Sequence, residues 1–196
     1  RNVYFKFKDY VEENKFDDIE DLLIDILYYA RKYQYLLKNN TPWEKVNKSI
    51  YRLNRIKTTV TRPFLMEILS MGEKEKLSES EIGEIFQITE NYIFRRTICD
   101  IPTNALNKIF LLLHKEIIRI DGTIDNYVEK FKYVLANKKE SGRFPDDEEF
   151  TTSLSQKNIY SMRGENKSYL FERLENYGTL ETKDIWNHFD NATYSI

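Results

Sequence analysis

From residue 18 onward the apolar residues recur at steps of three and four. Ile19, Leu22, Leu23, Ile26, Leu27, Ala30, Tyr33 and Leu37 predict an amphipathic helix over 18–38 with one apolar stripe. Asp17 is placed as its N-cap, with Glu20 at the capping-box position. Thr41-Pro42-Trp43-Glu44 has the same form, with Thr41 capping, Pro42 at the first helical position and Glu44 reaching back, and it opens a helix over 43–58. Pro63 favours a boundary near Thr61–Arg62. Ser78-Glu79-Ser80-Glu81 is another capping box, starting a helix that runs to about Cys99, and Asp100-Ile101-Pro102-Thr103 breaks it. Residues 104–120 place Leu106, Ile109, Phe110, Leu113, Ile117 and Ile120 on one face and Leu111, Leu112 and Ile118 on much of the other. A helix apolar on most sides is predicted to be the central one. Asp121-Gly122-Thr123 ends it and caps 124–138; shorter helices start at Asp146 and span 166–177. The last dozen residues, with Trp186, Phe189 and Tyr194, read as extended. The pattern predicts an all-α bundle or array of about eight helices, one domain over 1–180 with a short extended tail over 181–196.

Composition narrows this further. Six Gly and four Pro in 196 residues are too few for the tight turns of a sandwich, barrel or doubly wound sheet. A single Cys (Cys99) excludes a disulfide framework and a cysteine-rich zinc site, and two His (His114, His188) leave little for a histidine-based metal cluster. No apolar run reaches the roughly 18 residues that cross a bilayer and no signal peptide opens the chain, so a cytoplasmic protein without a membrane partner is expected. The chain begins in mid-stride at Arg1-Asn2-Val3 and reads as an internal piece of a longer protein.

Net charge is −2, but its sign alternates along the chain. Between 41 and 70, Lys45, Lys48, Arg52, Arg55, Lys57 and Arg62 face only Glu44 and Glu67. Lys45, Lys48, Arg52 and Arg55 are spaced three, four and three apart, on one stripe opposite Trp43, Val46, Ile50 and Leu53. Such a row suits a phosphate backbone, and four contacts would give a log–log salt slope of roughly −3.6 on duplex DNA. The competing reading is an ordinary solvated face. Arg95 and Arg96 end the helix before Pro102; with Asn107 and Lys108, Arg95 would make a phosphate clamp, whereas a structural corner with Arg96 turned inward is the alternative.

Catalytic patterns fail on inspection. Pro145-Asp146 followed by Glu165-Asn166-Lys167 matches the string of a PD-(D/E)xK nuclease, but that chemistry needs carboxylates converging from adjacent strands. Here Asp146 reads as a helix cap and Glu165 as the start of another helix. No Gly-rich phosphate loop or nucleophile elbow occurs, so no catalytic, metal or cofactor-binding residue is assigned and no cofactor is expected.

The run Tyr92-Ile-Phe-Arg-Arg-Thr-Ile-Cys-Asp-Ile-Pro-Thr-Asn-Ala-Leu-Asn-Lys-Ile-Phe110 resembles a segment of the GmrSD-type modification-dependent restriction endonucleases. Arg143–Phe150, Asn158–Tyr160 and Tyr169–Tyr177 resemble further landmarks of the same proteins in the same order, so the likeness spans about residues 50–196. It implies a helical region between an N-terminal ParB-like, nucleotide-hydrolysing domain and a C-terminal HNH (His-Me-finger) nuclease. Family members continue from a stretch similar to Ala192–Ile196 into Glu-His-Ile-x-Pro-Gln, which carries the catalytic His. The resemblance therefore implies that this chain is not itself an enzyme. It implies a connector that positions its own protein's NTPase-like and nuclease domains, with contacts to the DNA phosphate backbone. The alternative is a helical protein–protein interaction scaffold that touches no nucleic acid.

Overall fold

A computed structural model of the chain describes residues 2–16 and 18–177. Among these residues nine α-helices follow one another without a strand: α1 (Asn2–Asn14), α2 (Ile19–Lys38), α3 (Glu44–Arg55), α4 (Arg62–Glu73), α5 (Glu79–Ile98), α6 (Leu106–Ile118), α7 (Tyr127–Ala136), α8 (Asp147–Gln156) and α9 (Gly164–Glu175). Single 3-10 turns at Glu140–Gly142 and Ile159–Ser161 flank α8. The all-α expectation holds. The expected extended tail over 181–196, with Trp186, His188, Phe189 and Tyr194, lies outside the described residues.

Caps fix several of the boundaries. At α5 the Ser78 side chain accepts from the Glu81 amide while the Glu81 carboxylate accepts from the Ser78 amide, a complete capping box. At α8 Asp146 accepts from the Glu149 amide at 2.8 Å. Other assignments shift. Asp18 caps α2, accepting from the Asp21 amide, in place of Asp17. Thr41 does not cap α3, which begins at Glu44 with no side-chain cap bond. Its backbone N–H and hydroxyl instead donate to Asn47 Oδ1 at 2.7 and 2.8 Å, and Asn47 Nδ2 donates back to the Thr41 carbonyl. A carboxamide one turn inside the helix thus closes the loop that the Thr–Pro pair was expected to close. Helix α6 starts behind Ala105, also with no side-chain cap bond. Asp121 is also committed elsewhere, to the Thr123 amide and to Lys130 Nζ at 2.7 Å, so α7 starts later, behind Asn126.

The central helix is α5 rather than α6. It packs against α3, α4, α7 and α8 and buries ten of its residues, including Ile82, Ile85, Phe86, Tyr92 and Ile93. Helix α6 packs on α4 and α7 and leaves Leu111 67% exposed. The buried positions of α5 include Thr89, Glu90 and Arg96, which disguise a core helix as a polar one. The main core stacks Phe64 on Phe131, with ring centroids 5.4 Å apart, and runs from α3 and α4 to α7. A smaller core of Phe94, Ile98, Tyr169 and Leu170 joins α5 to α9 and to the Phe150 side of α8. Where α4 crosses Trp43 and α5, Gly72 allows close approach: a Cβ there would sit 2.4 Å from Ile82 Cδ1 and 2.8 Å from Trp43 Cη2.

Helix α2 departs most from expectation. It packs on α4 and α3, yet the side it turns inward is the more polar one. Lys32, 2% exposed, pairs with Glu73, Tyr28 donates to Ser70 Oγ at 2.9 Å, and only Leu36 of its aliphatic residues is fully buried. The apolar stripe read from the sequence points outward. Of that stripe Ile19, Leu23, Leu27 and Leu37 are each about half or more exposed and Leu22 is half-buried, while Ile24 beside the stripe is exposed as well.

Candidate functional site

The basic stripe of α3 divides in two. Lys45 and Lys48 are exposed, whereas Arg52 and Arg55 are partly buried where α9 comes down beside the C-terminal half of α3. Arg52 has its Nη1 3.8 Å from Glu90 Oε1 and its Nε 3.7 Å from Glu172 Oε1. Those carboxylates come from α5 and α9, with side chains only 4% and 5% exposed. Tyr169 of α9 completes the cluster, donating to Glu90 Oε1 at 2.7 Å. One guanidinium thus stands between two buried carboxylates. Burial pushes the Glu90 carboxyl above its ordinary value, against the pull of the Tyr169 hydrogen bond and the Arg52 and Arg173 charges. Burial also pushes the Tyr169 phenol up, reinforced by the neighbouring Glu90 charge. Arg55 has a partner within the protein as well.

Arg95 and Arg96 form a joint between distant parts of the chain. Arg96, only 2% exposed, donates to the carbonyls of Ser141 (2.7 Å), Pro102 (2.8 Å) and Arg143 (3.1 Å), and its guanidinium lies 5.1 Å from the Tyr92 ring centre. Tyr92 donates to the Gly142 carbonyl at 2.7 Å. Arg95 donates to the Pro145 carbonyl and to Asp147, and lies over the Phe150 ring. Arg143 in turn donates to Glu149. The stretches 92–110, 143–150 and 169–177, which carry the resemblance, therefore meet here, through Arg95, Arg96 and the Phe94–Phe150 and Phe94–Tyr169 ring contacts. Asn107 and Lys108 are exposed on the first turn of α6. Arg95 is thus spent on α8, and the clamp expected from Arg95, Asn107 and Lys108 is not assembled by any contact among them.

Beside this joint lies a half-open groove of about 950 Å³. Its walls are the α3–α4 loop, the α5–α6 corner and the 156–166 segment, with Lys57, Cys99, Asp100, Lys157, Asn158 and Arg163 among the lining residues. Lys57 is paired with Glu165 and Lys157 with Asp100, each at 2.5 Å, so two of its cations are already neutralised. Among the described residues lining it there is no aromatic ring on which a nucleobase would stack. Sequence reading missed the groove because it is built from connections: Lys57 and Asp100 both adopt left-handed backbone (φ 55° and 51°), which no local pattern announced. Glu90 did carry a signal. It sits four residues after Phe86 and three before Ile93, on the same face that placed Arg96 inward.

The other titratable candidates serve the fold. Asp146 caps α8 and Glu165 pairs with Lys57, so neither is held toward the other by a shared contact. His114 lies 2.9 Å from the Tyr127 hydroxyl, and burial lowers its pKa, favouring the neutral ring. No helix among the described residues is long and apolar enough to cross a membrane. Comparison with family models, with curated proteins and with solved structures finds no match to this chain.

Proposed function

We propose that this chain is the helical connector domain of a GmrSD-like restriction endonuclease, and that it works through contacts with other polypeptide rather than by cutting DNA or reading bases. The observation that carries the reading is the outward apolar stripe of α2, where Ile19 is 75% exposed, Leu23 57% and Leu27 52%. A contiguous apolar surface of this kind marks an interaction site. The Arg95–Arg96 joint supports the same reading, since it gives the most distinctive part of the resemblance a structural task. Lys45 and Lys48 remain for weak, sequence-independent contact with phosphate.

The test uses the full gene product carrying Leu23→Glu and Leu27→Glu. Both side chains are exposed, so helical content and nucleotide hydrolysis should persist while restriction of modified DNA is lost. Undiminished restriction in that variant would reject the stripe as the working surface.

A further inference from the structure

We infer that the outward stripe of α2 pairs with the same stripe of a second copy of this chain, in antiparallel orientation. This rests on the reading above that the stripe is a docking surface, and names its occupant. Ile19, Leu23, Ile26, Ala30, Tyr33 and Leu37 are spaced four, three, four, three and four apart and all are exposed. This 4-3 spacing is that of the seam between two paired helices, and exposed Leu27 and Ile24 widen it along one flank. The seam runs the length of a 20-residue helix, about 30 Å. It is shorter than a self-sufficient coiled coil needs. Helix α2, however, is already held against α4 by Lys32–Glu73 and Tyr28–Ser70, so pairing need not also pay for helix formation.

Charge selects the direction. The exposed acidic groups of α2 and its cap, Asp18, Glu20 and Asp21, lie at its N-terminal end, and the exposed basic groups, Arg31 and Lys38, lie in its C-terminal half. A parallel pair would align like with like. An antiparallel pair sets the acidic end of each copy beside the basic end of the other, and like-charge alignment is what suppresses wrong arrangements. The seam also maps onto itself under a two-fold axis, with Ile19 opposite Leu37, Leu23 opposite Tyr33 and Ile26 opposite Ala30. A self-complementary patch closes as a dimer and does not propagate into a filament. A single seam is at the small end of protein interfaces, so the pair is reversible and concentration-dependent.

Sedimentation of the purified 196-residue chain over a wide concentration range tests the pairing. The mass should rise from 23.6 kDa toward that of two chains. Ala30→Glu, at an exposed position in the middle of the seam, should weaken association by about tenfold or more with an unchanged circular dichroism spectrum. A mass that stays at one chain at every concentration overturns the pairing, whatever else covers the stripe. In that outcome the connector reading would still stand or fall on the restriction assay. Direction is read with a short bismaleimide in a Cys99→Ser background. Ile19→Cys mixed with Leu37→Cys should cross-link, and neither alone should. Self-cross-linking of Ile19→Cys to the same yield would overturn the antiparallel arrangement.

Discussion

Replacing Arg52 by Gln separates a cation that serves the fold from one that serves a ligand. Its guanidinium is 17% exposed and stands 3.8 and 3.7 Å from two carboxylates that are 4% and 5% exposed. Removing one partner of a buried ion cluster costs about 3–5 kcal/mol, because the charges left behind lose their compensation without regaining water. The distances are those of ion pairs and not of tight hydrogen bonds, and Glu172 keeps a further contact, so the loss belongs at the lower end, about 3 kcal/mol. For a chain of this length that lowers the melting temperature by about 6–12 °C. The pH dependence has a definite sign. The Glu90 carboxyl already lies above its ordinary value of 4.5, so the folded state holds its proton more tightly than the unfolded chain does. The stability this contributes is present in full below the unfolded value and is lost as pH rises through the raised one. Without Arg52 the raised value climbs further, so the Arg52→Gln deficit should be greatest at neutral pH and shrink in acid. Arg52→Gln/Glu90→Gln should recover part of the loss at neutral pH, the remainder belonging to Glu172, which stays buried without Arg52. Urea denaturation of the single and double variants across this range provides the cycle. A loss below about 0.5 kcal/mol at neutral pH, as for an ordinary surface substitution, would refute the structural role of Arg52.

Three further outcomes follow from the packing. Arg96→Met strips donors from the part-buried Ser141, Pro102 and Arg143 carbonyls that tie α5 to the segment before α8, and it should destabilise by about 1–3 kcal/mol in urea melts. Gly72→Ala pushes a methyl group into Trp43 and Ile82 and should cost about 1–3 kcal/mol in thermal melts, as overpacking does. Duplex DNA titrated at several salt concentrations should give a log–log slope no steeper than about −1.8, the two contacts that Lys45 and Lys48 would supply; a slope near −3.6 would mean that Arg52 and Arg55 leave their partners to reach phosphate.

Much of the helical order was legible because short-range signals set it. The box Ser78–Glu81 and the cap Asp146–Glu149 lie three residues apart, and both formed as expected. The inward turn of Arg96 was foreshadowed by its spacing from Ile93. Direction was harder, because a period identifies a stripe without saying what covers it. The α2 stripe is as regular as a core stripe and points outward, since α4 offers Glu73 and Ser70 to the opposite side of the helix. Arg52 looked like a solvent-facing cation because the carboxylates that claim it, Glu90 and Glu172, lie far along the chain. The apolar run of α6 suggested the centre, but α5 occupies it by satisfying polar side chains inside: the Thr89 hydroxyl donates to the Ile85 carbonyl, Glu90 accepts from Tyr169 and Arg96 takes three carbonyls.

That the outward face of α2 is covered by other polypeptide is the claim on which the functional account turns. Hydroxyl-radical footprinting reads it directly, residue by residue. Leu23, Ile24, Leu27 and Tyr33 should label readily in the chain at high dilution and several-fold less at a concentration at which it is paired. Equal labelling of these side chains in the two samples would contradict the account.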